Sequence, residues 1–326
     1  MPRQIHSRSR AIDGVVVLNK PAGLSSNAAL QRVKRALRAR KGGHTGSLDP
    51  SATGMLPLCF GEATKASAYL LDADKTYRVV ARLGEATDTG DADGRIIDTA
   101  AVPELTAAEW QATLEVFLGE SEQVPPMYSA LKQGGKRLYE LARQGETVER
   151  KPRRIVIKAI QLLELAGRRL VLRVTCSKGT YIRTLVEDIA GGAGTVAHTR
   201  RLHRESVAGF EVREMRSLGA VEALAASGRP TAEWLLTPDA ALGHLGRAAV
   251  SLADKERFVV GQAVPADDAV SGLVRVYGPD DEFLGIGEAG EPGSVVPKRV
   301  FHSAPAGVPE DRDGAVSAGA GSAVDI

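Results

Sequence analysis

The 326-residue chain is 43% hydrophobic and 25% charged with a formal net charge of +2. That composition excludes fibrous and wholly disordered classes, and no apolar run approaches the ~20 residues of a membrane span. The N-terminus lacks the apolar core of a secretory signal, the two cysteines are too few for a disulfide framework, and no Cys–His spacing matches a zinc site; a reducing cytoplasm, no membrane and no structural metal are expected. The small net charge hides an uneven distribution. Residues 1–41 hold ten Lys or Arg against Asp13 alone, an excess suited to a polyphosphate partner. Length alone suggests about two domains at ~150 residues each.

In chain order, residues 1–12 read as a basic flexible arm. Gly14-Val-Val-Val-Leu18 is a short apolar run closed by Asn-Lys-Pro-Ala-Gly23, which predicts a buried strand and a turn. Ser25, Ser26 and Asn27 are good caps for a helix that sets Leu30, Val33 and Leu37 on one face and Arg32, Lys34, Arg35 and Arg38 on the others. That helix leads into a Gly- and Pro-rich stretch, residues 41–59, built around the carboxylate of Asp49 and read as one shaped loop. An Asp held this way can act as nucleophile or general base, although Asp before Pro is also a common turn starter. Residues 76–83 alternate as a strand with Tyr77, Val79, Ala81 and Leu83 on one face. Asp88-Thr-Gly-Asp-Ala-Asp-Gly94 lacks the spacing of a calcium loop. Thr106-x-x-Glu109 is a capping box for a helix carrying Trp110, Leu114 and Phe117, with Gly119 at its end.

Residues 123–132 are irregular and residues 133–154 basic, a second candidate phosphate surface. Residues 155–163 and 170–176 read as strands, followed by a turn and a helix from Tyr181, where free backbone donors and Lys178 favour anionic groups. Arg183 lies in its first turn, and Gly191-Gly-Ala-Gly194 breaks it. His198-Thr-Arg-Arg-Leu-His-Arg204 is a further basic patch, most simply a solvated charge run. From 212 to about 246 the pattern is helical and Ala-rich, with a break near Gly228-Arg-Pro230. A short helix near 254–261 and strands at 272–277, 283–287 and 295–301 then form a second unit. Residues 303–326 are Ala-, Gly- and Ser-rich and read as a disordered tail.

Gly43-His-Thr-Gly-Ser-Leu-Asp-Pro50, Ala52-Thr-Gly-Met-Leu-Pro57 and Gly61-Glu-Ala-Thr-Lys65 resemble the catalytic segment of the tRNA pseudouridine synthase B (TruB) family. Asn19-Lys-Pro-Ala-Gly-Leu-Ser-Ser26, Lys75-Thr-Tyr77, Met127-Tyr-Ser-Ala-Leu-Lys132 and Cys176-Ser-Lys-Gly-Thr-Tyr-Ile-Arg183 extend the likeness in the family's order, from about Gly14 to Phe210 and more loosely to Phe301. Ser47 and Ser51 are local departures, both small. The resemblance implies an α+β fold, with a mixed, largely antiparallel sheet flanked by helices over residues 13–247. It implies a small β-barrel-like, RNA-binding PUA-type domain over 248–302.

It also implies conversion of uridine to pseudouridine at position 55 in the T-loop of tRNA, a redox-neutral isomerisation that needs no cofactor. By resemblance Asp49 matches the catalytic aspartate, and the sequence leaves open whether it attacks C1′ or assists loss of the 2′ proton. Arg183 is expected to pair with Asp49. Tyr77 matches the flat partner of a flipped-out base, with a hydroxyl able to act as a base. Tyr181, Leu202 and His44 match further substrate contacts, and Lys20 is expected beside them. The T-loop and T-stem of tRNA would be the partner, with no obligate protein partner. Two other readings are compatible with the sequence: an RNA-binding protein without chemistry, and a guided synthase working inside a ribonucleoprotein. A small-molecule enzyme would leave the basic excess near the site unused.

Overall fold

The computed structural model describes residues 10–207, 209–266, 271–290 and 293–302. The tail expected over 303–326, and all but residues 10–12 of the N-terminal arm, lie outside them. β1 (Gly14–Lys20) is buried at every position except Asn19. Ser25 accepts the Ala28 N–H and opens α1 (Ser26–Leu37), which buries Ala29, Leu30, Val33 and Leu37. Its polar side is partly spent within the protein, because Arg32 grips Glu222 at 2.7 Å.

The stretch expected as one long loop is a loop between two paired strands, β2 (Gly42–His44) and β3 (Thr53–Phe60). After α2 (Ser67–Leu71), β4 (Lys75–Leu83) alternates as predicted, with Tyr77, Val79, Ala81 and Leu83 inward. β5 (Glu85–Thr87) and β6 (Ile96–Thr99) make a small hairpin that carries Asp91 in its turn region. The capping box at Thr106 and Glu109 opens α3 (Ala107–Glu115). This helix stops short of Gly119, whose φ of 91° instead begins β7 (Gly119–Gln123). A two-residue hairpin, β8 (Lys132–Gln133) with β9 (Lys136–Arg137), leads to α4 (Leu138–Arg143). β10 (Arg153–Ala166), β11 (Arg169–Cys176) and α5 (Ile182–Gly192) match the predicted order.

The basic run at 198–204 is not a solvated stretch. It lies in β12 (Ala197–Val207), between β3 and β4 in the middle of the sheet, because a central strand must bury alternate side chains whatever their charge. Arg204 and His198 are buried, while Arg200 and Arg201 stay exposed. The region expected to be helical over 212–246 contains a single α-helix, α6 (Leu218–Ala226), preceded by β13 (Arg216–Ser217) and followed by turns. Gly228 at φ 75° and Pro230 stop the helix there.

The large sheet has the order β13-β1-β3-β12-β4-β11-β10-β7, with β2 added to β3. Its pairings are antiparallel except β1 with β13 and β3 with β12. One face packs against α1, α3 and α5 through Leu30, Val33, Trp110, Leu114, Leu185 and Val186. The C-terminal unit comprises β14 (Gly246–Ala249), α7 (Leu252–Val259), β15 (Val264–Pro265), β16 (Leu273–Tyr277), β17 (Phe283–Ala289) and β18 (Ser294–Val300). Its curled five-stranded sheet runs β14-β16-β17-β18-β15 around Phe258, Val274 and Val295. Tyr277, Phe283 and Phe301 pack instead with Val15, Val17, Met55 and Cys59 of the large sheet, so the two units share a core.

The parallel junction of β3 with β12 admits no side chain at Gly54. Its φ is 104°, and a Cβ there would lie 2.3 Å from the Arg204 carbonyl oxygen. Backbone on both sides cannot yield, so Gly54→Ala is expected to cost about 2–4 kcal/mol, read as a lowered urea midpoint with an unchanged m-value.

Candidate active site

The Asp49 loop is held from every side before any substrate arrives. The Thr45 N–H donates to the Pro57 carbonyl at 3.1 Å, and the Ala52 N–H closes a turn onto the Asp49 carbonyl at 3.1 Å. Ser26, at the start of α1, exchanges two hydrogen bonds with Leu48, accepting its N–H at 2.7 Å and donating to its carbonyl at 3.1 Å. Gly46 takes a φ of 87°, and its carbonyl accepts from Arg204 Nη2 at 3.1 Å. The Pro50 carbonyl accepts from the Gly23 N–H at 2.8 Å and from Lys20 Nζ at 3.2 Å. Loop backbone that is this fully bonded presents its side chains at fixed angles.

Lys20 therefore does not face substrate, contrary to the expectation from sequence. It is fully buried behind the loop, bonded to the carbonyls of Pro21, Leu24 and Pro50. Burial pushes its ammonium down to about 8, opposed by the charge of Asp49. A short strand that ends at Lys20 inside the core has only carbonyls to offer it.

Asp49 and Arg183 meet as predicted. Arg183 Nε lies 3.0 Å from Asp49 Oδ2, with the Arg183 side chain 5% exposed and that of Asp49 40% exposed. The other guanidinium nitrogens are also engaged. Nη1 donates to the Thr89 carbonyl at 2.7 Å and sits 3.6 Å from Asp91 Oδ2; Nη2 donates to the Tyr128 carbonyl at 2.7 Å. Asp91 is in turn oriented by the Thr89 hydroxyl at 2.6 Å and the Asp93 N–H at 3.1 Å. Sequence reasoning tested that acidic run only as a calcium loop and missed Asp91; the signal lay in a buried arginine, which needs more than one acceptor. Burial raises the Asp49 carboxyl above its ordinary value, Arg183 opposes that rise, and the Asp91 charge adds to it.

Two recesses open at Asp49. The larger, about 1000 Å³, is lined by His44, Asp49, Asp91 and Arg183 on one side and by Arg137, Tyr139 and Arg143 on the other. The guanidiniums of Arg137 and Arg143 flank the Tyr139 ring at 5.8 and 5.5 Å from its centroid, a cationic and aromatic wall of the kind that receives nucleotides. A smaller recess beyond Asp49 and Arg183 is lined by Leu202, Arg200 and Arg201. Burial, then the Arg204 charge, lowers His44 and keeps its ring neutral.

Tyr77 is 7% exposed and lines neither recess. Its ring has Arg204 6.0 Å from the centroid, and burial raises its phenol. Tyr181 caps α5 from its half-buried position; its N–H and carbonyl are taken by Gln123 at 2.8 and 3.1 Å. Gln123, unremarked in the sequence, thus occupies a donor expected to be free for anions. Lys178 points elsewhere, paired on the surface with Asp72 at 2.6 Å. The charge of Asp49 reaches both phenols, so Tyr77 and Tyr181 belong to the same neighbourhood as His44, Asp49 and Arg183. Among the described residues no three His, Cys, Asp or Glu side chains converge as around a metal ion, and no helix is long and apolar enough to cross a membrane.

Residues 34–182 match the TruB family pseudouridylate synthase N-terminal domain, and residues 248–301 match the pseudouridine synthase II TruB C-terminal domain. The chain is 49% identical over 300 residues to a tRNA pseudouridine synthase B of Chromohalobacter salexigens, covering 91% of this chain and 97% of the relative. It is 47% identical over 292 residues to that of Thiobacillus denitrificans, covering 90% and 97%. A solved Cbf5-Nop10-Gar1 complex contains a chain of similar fold, with a TM-score of 0.68 and 25% identity over 89% of this chain and 85% of the other. With both halves matched and close relatives spanning nearly its whole length, the chain belongs to the TruB family of pseudouridine synthases.

Proposed function

We propose that this pseudouridine synthase acts on uridine at position 55 in the T-loop of tRNA, with Asp49 as nucleophile on a nucleotide turned out of its stack. The family isomerises uridine to pseudouridine in tRNA; the target position and the nucleophile are our reading. One observation carries it: a half-exposed carboxylate in a cleft that also presents Arg137, Tyr139 and Arg143, 3.0 Å from an arginine that is itself almost wholly buried. Arg183 holds one oxygen of Asp49 and leaves the other side of the carboxylate open to the cleft.

In this reading the carboxylate attacks C1′ and the N1–C1′ bond breaks, with its electron pair passing to the uracil. The freed base turns, C5 attacks C1′ and displaces Asp49, the C5 proton goes to solvent, and N1 takes one up. No electron is gained or lost overall. Tyr77 and Tyr181 back the position of the base from behind the recess lining, Leu202 closes the far side of the site, and neutral His44 stacks within the loop of the RNA. Arg137, Tyr139 and Arg143 meet the RNA backbone and bases across the cleft. The structural likeness to a protein found in a complex with Nop10 and Gar1 favours, as a second reading, action within a larger assembly.

Asp49→Ala is expected to lower release of tritium from C5-labelled T-loop uridine by roughly four orders of magnitude or more, while binding of the transcript stays within about threefold. Wild-type release with that variant would remove Asp49 from the chemistry. The purified chain alone is expected to modify an unmodified tRNA transcript, mapped by mass spectrometry; a strict need for added protein would favour the second reading. The reactive form is the carboxylate, so activity is lost as pH falls through the raised pKa of Asp49. The acid limb of kcat/KM is therefore expected above the ordinary 3.8. In Arg183→Met the residual activity should show that limb at still higher pH, because the cation opposing burial is gone.

A further inference from the structure

β4, the β10–β11 turn and the start of β12 enclose a recess of about 500 Å³ beside Val80 and Arg82. Arg82, Arg168, Arg169, Arg200 and Arg201 line it, against Glu85 as the one carboxylate. Glu85 is already committed: it accepts from Arg82 at 3.1 Å and from Arg168 at 3.2 Å, and the Arg82 hydrogen bond holds its carboxyl below the usual range. Arg169 leans on Glu164 outside the recess. Arg200 and Arg201 are exposed and have no ion pair among the described residues.

The fold brings this last pair together by an irregularity. In regular pairing two successive residues would point to opposite faces. Here Thr199 opposes Ala81 while Arg201 opposes Val80, so Arg200 is the extra residue of a bulge, a device that re-aims side chains. As a result both arginines line the recess, and both also line the small cavity that contains Asp49, Arg183 and Leu202. The cationic recess is thus continuous with the catalytic neighbourhood by way of two residues.

We propose that this recess is a second RNA subsite, in which Arg168, Arg200 and Arg201 hold backbone phosphates of the nucleotides adjoining the target uridine on the side of Leu202. Guanidinium forks suit phosphate oxygens; with Arg169 paired to Glu164 and Glu85 shared between Arg82 and Arg168, the charges of Arg200 and Arg201 are left to be neutralised. The tRNA substrate supplies phosphates next to the nucleotide held at Asp49, whereas a small anion would leave the continuity with the site unexplained. This proposal rests on the reading of Asp49 as the group that meets the target.

The test is equilibrium binding of a T-arm stem-loop RNA at several salt concentrations, with wild type and an R168Q/R200Q/R201Q variant whose thermal midpoint is checked first. Three lost phosphate contacts reduce the slope of log Kd against log salt by about 2, and weaken binding roughly 10- to 100-fold at low salt. A slope and affinity equal to wild type would overturn the proposal. So would a variant that loses only inorganic phosphate, followed by phosphorus NMR line width, while its RNA slope stays put; the recess would then be a small-anion site. Single variants R200Q and R201Q, which disturb the fold less, should each carry part of the slope change. Because the readout is binding and not turnover, it stays informative if Asp49→Ala proves active. In that case the chemistry reading fails and a changed slope still supports the subsite.

Discussion

A single guanidinium holds the site together. Arg183, on the first turn of α5, reaches the Asp49 loop, the β5–β6 region through Thr89 and Asp91, and the irregular segment at Tyr128. These pieces come from four places in the chain, and Arg183 joins all of them. Burying a cation so completely is unfavourable unless carboxylates and carbonyls surround it, and removing one member of such a set leaves the others uncompensated, at about 3–5 kcal/mol. The arrangement therefore persists or fails as a unit. Its consequence for chemistry is that a partly desolvated carboxylate remains directed toward the cleft despite the burial that raises its pKa.

Behind that front, the loop is supported by two more buried cations that bond to carbonyls. Lys20 reaches Pro50 from the end of β1, and Arg204 reaches Gly46 and Met55 from β12, the latter at 2.6 Å. Cations placed on the convex side of a loop satisfy its carbonyls where no strand can pair with them. They also place positive charge behind the loop. The loop thus combines rigidity and attraction, and the cleft opposite is closed by the cationic, aromatic wall around Tyr139. Preorganisation of this kind places a reactive group before binding rather than during it.

Among the described residues the C-terminal sheet adds none to the cleft lining at Asp49, yet it packs against the large sheet through the aromatic cluster of Tyr277, Phe283 and Phe301. Lys65 ties the junction further, donating to the Val300 carbonyl at 3.0 Å while paired with Glu62. A shared apolar core fixes the orientation of the two units, so any RNA contact on the smaller one would stand at a set distance from Asp49.

Local signals determined much of this protein. The cap at Ser25, the box at Thr106 and Glu109, the alternation of β4 and the glycine-bounded Asp49 bend each arise from neighbours within a few residues, and the structure contains all four. The pairing of Asp49 with Arg183 was legible only through a resemblance, since the two lie far apart in the chain. Other features were decided by tertiary structure alone: the burial of Lys20, the split of the 198–204 run into a buried Arg204 and exposed Arg200 and Arg201, Asp91 as a second acceptor, and Gln123 as the partner of the Tyr181 backbone. A charge pattern does not state which sheet position its strand will take. A buried cation's partners come from whichever segments the fold sets against it, so their identity depends on long-range packing that no local spacing encodes.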